Sequence, residues 1–182
     1  ISVQKYHEMI QKGVLTEDAP VELLEGWIVP KMPRNPEHDT TIDIADAALR
    51  PLLPSGWRVR VQNAITTGDS EPEPDLVVVE GDLRAFLTRH PSPSDIGLVI
   101  ESAESSLTTD RVDKGRIYAR ANIPIYWVIN LVDRQVEVFS DPDPQARPPA
   151  YRASQTFRRG QTVPLVLKGQ IVAQVRVDDL LP

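Results

Sequence analysis

Two carboxylates stand at the ends of the most apolar segments of the sequence. Asp75 comes directly before the run 76–79, and Glu101 comes directly after the run 96–100. If these runs form antiparallel neighbouring strands, the start of one meets the end of the other, and the two carboxylates converge at one sheet edge. Their mutual repulsion is tolerable there only if they face water or hold a cation.

A lysine is spaced so that it can join these carboxylates. Asp110, Lys114 and Tyr118 follow one another at intervals of four, which places them on one face of a helix. Two hard oxygen ligands beside an ammonium group suit metal-assisted phosphodiester hydrolysis, in which lysine orients water or neutralises developing charge. Ligation by carboxylates alone favours Mg²⁺, with Mn²⁺ as the alternative, over zinc.

Other enzyme classes find little support in the sequence. It has no cysteine, no nucleophile elbow, no phosphate-binding glycine loop and no dinucleotide fingerprint. His7, His38 and His90 show no metal-ligand spacing. The net charge of −6 disfavours a general nucleic-acid coat, because such binding relies on excess lysine and arginine. No apolar run approaches the roughly 20 residues of a membrane span, so we expect a cytoplasmic protein.

The periodicity of apolar residues predicts the elements that must position these groups. The first half of the chain should contain a helix over 3–10, strands over 21–24 and 27–31, a helix from Pro36 to about Pro51, and a strand over 57–61. The second half should contain strands over 76–79 and 96–100 with a short helix over 82–90 between them, a helix over 110–121, strands over 125–131 and 136–139, and weaker strands to residue 181. This order predicts an α+β or mixed α/β fold in one domain that spans residues 1–182.

The same residues resemble a known family. Pro74-Asp75 followed by Glu101 is similar to the PD-(D/E)xK nuclease signature. The segments 21–26, 73–76 and 110–130, which ends in Tyr-Trp-Val-Ile-Asn, more specifically resemble the Uma2 family of bacterial restriction-endonuclease-like proteins. The resemblance implies a mixed central sheet flanked by helices, of restriction-endonuclease type.

The resemblance also implies roles for individual residues. Asp75 and Glu101 would be the metal ligands, and Glu22 would approach them as an additional acid. Position 103, where the superfamily pattern has its lysine, is alanine, so Lys114 takes that role from the next helix. His38 matches a family position, but a lone histidine in an early helical turn favours a structural role.

These inferences lead to one function with two alternatives. We predict a Mg²⁺-dependent endonuclease that acts on DNA and, by resemblance, works as a homodimer. The alternatives are a non-catalytic binding or regulatory module on a nuclease scaffold, and a metal-dependent hydrolase of RNA or of a small phosphodiester.

Overall fold

A mixed six-stranded sheet forms the centre of the computed structural model, which describes residues 1–16, 18–31, 33–104 and 110–182. The strands lie in chain order across the sheet: β3 (Trp57–Val61), β4 (Leu76–Glu80), β5 (Ile96–Ala103), β6 (Ile125–Asn130), β7 (Gln135–Asp143) and β8 (Ala150–Arg158). Strands β5 and β6 are parallel, and the other neighbours are antiparallel. The predicted fold class is confirmed.

The antiparallel pairing of β4 with β5 fixes where the two carboxylates lie. Leu76 pairs with Ile100, so the residues next to that pair, Asp75 and Glu101, stand side by side at one end of the two strands. Both strands are buried along almost their full length, as expected for central strands apolar on both faces. Alternate residues therefore enter different core layers.

Two hairpins extend this architecture. Strands β1 (Val21–Leu24) and β2 (Trp27–Pro30) are joined by Glu25 and Gly26, which both have positive φ, at 50° and 79°. Such a two-residue turn matches the twist of a hairpin and explains the glycine. Strands β9 (Thr162–Leu167) and β10 (Gln170–Arg176) form the second hairpin.

The starts of the first two helices agree with the sequence signals. Helix α1 (Val3–Gln11) is capped by Ser2, whose side chain accepts a hydrogen bond from the Lys5 amide. Helix α2 (Pro36–Leu49) is capped in the same way by Asn35, with proline at its first position. A π-helical turn, Asp110–Lys114, continues into α3 (Gly115–Arg120). No helix in the described ranges is long and apolar enough to cross a membrane.

The predicted helix over 82–90 is shorter than expected. Only Leu83–Phe86 is helical, as a 3₁₀ turn; three further 3₁₀ turns span Arg50–Leu52, Pro93–Asp95 and Val177–Asp179. Short helices depend on tertiary packing, and Phe86 packs only partly against the core in this segment. The local pattern was therefore insufficient to form an α-helix here.

The core has one layer on each side of the sheet. Residues such as Val78, Leu98 and Trp127 pack with α2 and with the β9–β10 hairpin on one side. Alternate residues, such as Val77 and Val99, pack with α3 on the other side. Because Glu101 has the same parity as Val99 along β5, its side chain projects toward α3.

Candidate functional site

Hydrogen bonds link Asp75 and Glu101 to each other's segments. Each carboxylate accepts a hydrogen bond from a backbone amide of the neighbouring segment. The Asp75 amide donates to Glu101 Oε2 at 3.3 Å, and the Ser102 amide donates to Asp75 Oδ2 at 2.8 Å. Both residues are buried, with exposed fractions of 8% and 2%. The sequence placed these two carboxylates at one edge, and the structure brings them together there.

The helical segment that follows supplies two donors to the same oxygen. Lys114 Nζ lies 3.0 Å from Glu101 Oε1, and the Tyr118 hydroxyl donates to that oxygen at 2.6 Å. Burial, followed by the charge of Glu101, raises the pKa of Tyr118 well above its ordinary value. Tyr118 is therefore a neutral hydroxyl donor at any physiological pH. The side chain of Asp110, predicted on the same helix face, lies outside the described side chains.

Glu22 reaches the same cavity from the β1–β2 hairpin. Its Oε2 atom accepts a hydrogen bond from the Glu73 amide at 3.2 Å, and its side chain is buried. Glu73 itself pairs with Lys31 at 2.7 Å.

The segment 71–75 alternates glutamate and proline before Asp75, and its three amides donate to Leu23 O, to Glu22 and to Glu101. Two of these acceptors are carboxylates of the candidate site.

His38 also contacts the site, although its place in an early helical turn favoured a structural role. Its Nε2 atom lies 3.1 Å from Asp75 Oδ2. Burial lowers the pKa of His38, but hydrogen bonding and charge attraction from Asp75, with a contribution from Asp39, outweigh burial and raise the pKa above its ordinary value. Two signals were available: the match of His38 to a family position, and the Asn35-Pro36 helix start that puts it in the first turn of α2. The missing information was that this turn approaches Asp75.

A cavity of about 470 Å³ is lined by Glu22, His38, Asp75, Glu101 and Lys114, among others. Among the described side chains on its walls, carboxylates outnumber lysine and arginine. The carboxylates are Glu22, Glu25, Glu73, Asp75, Glu101, Glu104 and Asp113, and the cations are Lys31, Arg34, Lys114 and Arg116. Hard carboxylate oxygens with an imidazole nitrogen nearby are a suitable donor set for Mg²⁺ or Mn²⁺. The residues present therefore fit a divalent cation.

Arginines near the cavity are held by Glu25 in the hairpin turn. Arg116 Nε donates to Glu25 Oε1 at 3.0 Å, and Arg120 Nη2 lies 2.6 Å from that oxygen. The hydrogen bond from Arg116 is the main cause that lowers the pKa of Glu25. These contacts attach the β1–β2 turn to α3, so the hairpin that carries Glu22 is fixed relative to the helix that carries Lys114.

We predict that Tyr118→Phe destabilises the protein by about 1.5–3 kcal/mol, the usual contribution of a hydrogen bond to a charged group. The matched control is Tyr151→Phe, which removes a 2.9 Å hydrogen bond to the neutral Ile123 carbonyl and should cost about 1 kcal/mol. Urea unfolding of both variants provides the measurement. Equal losses would show that the Tyr118 hydroxyl does not stabilise the Glu101 carboxylate.

Comparisons with known proteins identify a family and a similar fold. The model of the Uma2 family, whose description is "Putative restriction endonuclease", matches residues 3–176. A crystal structure from Anabaena variabilis, described as a putative nuclease belonging to DUF820, superimposes with a TM-score of 0.70 at 18% identity, covering 99% of this chain and 97% of that chain. Among curated proteins, no sequence matches the chain.

Proposed function

Because the chain belongs to the Uma2 family, we propose that it is a metal-dependent endonuclease that hydrolyses phosphodiester bonds in DNA. Family membership and the nuclease-like fold support nuclease function in general. The observation that carries the specific proposal is the position of Glu101, which lies between Asp75 on one strand and Lys114 on the next helix, at an acid-rich cavity.

In this proposal Asp75 and Glu101 hold Mg²⁺, with Mn²⁺ as a substitute, and Glu22 assists from the hairpin. A divalent ion bound there would polarise the phosphate and favour ionisation of water. Lys114, whose Nζ lies 3.0 Å from Glu101 Oε1, would orient the attacking water and neutralise charge that develops on the phosphate. Tyr118 keeps the Glu101 carboxylate in one orientation.

The charge of the cavity supports a requirement for metal. Among the side chains that the structure describes, seven carboxylates line it against four lysines and arginines, so a phosphate group would meet net repulsion from them without an added cation. Arg116 is already paired with Glu25, which reduces its capacity to attract phosphate. A bound divalent ion would offset most of this excess and place positive charge where the scissile phosphate must lie.

Trp27 gives the cavity a surface suited to nucleobases. It begins β2 at the cavity rim and is 76% exposed, which is unusual for so large an apolar side chain. Aromatic stacking with bases contributes about 1–3 kcal/mol per base and is independent of sequence. We infer that Trp27 contacts a base or the sugar of the bound strand.

Trp27→Ala is therefore expected to weaken binding of oligonucleotides by about 5- to 150-fold, the equivalent of 1–3 kcal/mol. Fluorescence anisotropy in Ca²⁺ would measure the affinity with cleavage suppressed. Ile171→Ala is the control, because Ile171 is exposed to a similar degree and does not line the cavity. Equal affinities of the two variants would remove Trp27 from the substrate surface.

A metal titration tests the proposed function directly. Supercoiled plasmid, linear duplex, single-stranded DNA and RNA are incubated with the chelator-treated protein while Mg²⁺ or Mn²⁺ is added. Metal-dependent nicking of the DNA is the expected result. Preferential RNA cleavage would instead favour the RNA hydrolase, and DNA binding without cleavage of any substrate would favour a regulatory module.

The remaining parts of the proposal concern organisation. We propose that residues 1–182 form one nuclease-like domain, supported by the family match over 3–176 and by core layers that share one sheet. We further propose a homodimer that acts on DNA in the cytoplasm. Sedimentation velocity and cell fractionation would test these two points.

A further inference from the structure

A second cluster of metal-binding side chains lies outside the cavity described above. His7 comes from α1, Glu71 from the segment before β4, and His90 from the loop before β5. One ligand atom of each side chain lies within 4.8 Å of the others. None of the three lines the cavity that contains Asp75 and Glu101. We propose that His7, Glu71 and His90 form a separate binding site for Zn²⁺.

The distances suit a tetrahedral ion. Zinc bonds of about 2.0–2.1 Å at tetrahedral angles place ligand atoms roughly 3.3 Å apart. His7 Nε2 lies 2.8 Å from both Glu71 oxygens, and His90 Nε2 lies 3.9 Å from Glu71 Oε1. The His7–Glu71 separation is shorter than the tetrahedral value, and the His90–Glu71 separation is longer. Both histidine side chains are about two-fifths exposed, so small rotations of the rings can accommodate the ion.

Glu71 is held in place as a ligand would be. It is buried, and Thr66 Oγ1 donates to its Oε2 atom at 2.7 Å. Its amide donates to Leu23 O at 2.7 Å, which fixes its backbone. The Thr66 amide also donates to Pro91 O at 2.9 Å, which holds the loop next to His90. In metal sites, hydrogen bonds from residues that do not bind the ion orient the residues that do.

The alternative is that His7 simply forms hydrogen bonds with a buried carboxylate. That interpretation accounts for His7 but gives His90 no hydrogen bond to Glu71, since 3.9 Å is too long for one, and leaves it only a ring contact with His7 and a long contact with the carboxylate. A shared ion explains why two imidazole nitrogens approach one carboxylate. Two imidazoles with one carboxylate favour zinc over Mg²⁺, in contrast to the oxygen-rich cavity.

The ligand set also predicts how the site is built. Three protein ligands leave the fourth tetrahedral position to water, and the ion would link α1 to two loops of the sheet. Because a site of this kind is not preformed in the unfolded chain, zinc binding stabilises the folded state. The inference is independent of the proposed nuclease activity.

Calorimetric titration of Zn²⁺ into the chelator-treated full chain tests the proposal, with Asp75→Asn as background so that the main cavity does not compete. We expect one zinc ion per chain. Thr66→Val removes a hydrogen bond to a ligand and should weaken zinc binding by about 10- to 100-fold. His7→Gln and His90→Gln each remove a ligand and should weaken zinc binding by more than that. Co²⁺ should give the intense visible absorption of a tetrahedral site.

Zinc affinity unchanged in both histidine variants would overturn the proposal. So would zinc binding that is present in wild type but absent in the Asp75→Asn background, since zinc would then occupy the main cavity. The two histidines are partly exposed, so their variants should fold, and circular dichroism verifies this. Plasmid cleavage in Mg²⁺ is measured in parallel on the histidine variants that retain Asp75. Failure of the nuclease proposal can then be distinguished from failure of the zinc proposal.

Discussion

Asp75→Asn and Glu101→Gln should each reduce Mg²⁺-dependent cleavage by at least about 10³-fold and abolish measurable Mg²⁺ binding. Both substitutions keep the side-chain shape while removing the negative charge that hard cations require. A loss of metal removes several kcal/mol of transition-state stabilisation at once. Asparagine retains an oxygen that can accept the Ser102 amide, so the strand edge should persist.

Lys114→Ala separates chemistry from metal binding in the same experiment. We expect cleavage to fall by about 10²–10³-fold, with Mg²⁺ affinity within a few-fold of wild type. Lys114→Arg should also fail, because a planar guanidinium cannot replace a compact ammonium beside the water. Lys168→Ala is the control, since Lys168 pairs with Glu80 away from the cavity. Wild-type cleavage by Lys114→Ala would refute the assigned role.

Addition of Mg²⁺ at about 100 times its dissociation constant should raise the melting temperature of wild type by roughly 5–10 °C. That range follows from a linkage contribution of about 2.7 kcal/mol and a shift of about 2–4 °C per kcal/mol at this chain length. Asp75→Asn should show little change. Differential scanning calorimetry with and without chelator measures both.

The order should reverse when metal is removed. Asp75, Glu101 and Glu22 lie in one acid-rich cavity, and like charges 4 Å apart repel by about 4 kcal/mol at an effective dielectric of 20. Lys114 lies 3.0 Å from Glu101 and His38 lies 3.1 Å from Asp75, and these contacts offset part of this repulsion. In chelator, Asp75→Asn should therefore melt at or slightly above the wild-type temperature. A clearly lower value would make Asp75 a structural residue at the start of β4.

The part of the site that was predictable depended on strand pairing. Two runs apolar on both faces indicate central strands, and their antiparallel pairing, with Leu76 opposite Ile100, brings Asp75 beside Glu101. Helical spacing likewise put Lys114 and Tyr118 on one face, and both donate to Glu101. These are regular elements, for which a local period fixes the direction of a side chain.

The contacts of the histidines were not predictable in this way. His7 and Glu71 are 64 positions apart, and their contact depends on how α1 packs beside an irregular segment. His38 meets Asp75 because of the path of α2 over the sheet, which no local pattern encodes. The shortening of the helix predicted over 82–90 has the same cause, because tertiary packing decided its length.

The segment from Glu71 to Asp75 gives the site an internal spectroscopic reporter. Its two prolines carry no amide proton, which leaves three N–H groups, each with a different acceptor. The Glu73 amide donates to the Glu22 carboxylate, and the Asp75 amide donates to the Glu101 carboxylate. Amide proton frequencies respond to the charge of the acceptor. Two resolved signals in a ¹⁵N-edited spectrum would therefore follow cation occupancy at two separate carboxylates, in solution and without any label on the substrate.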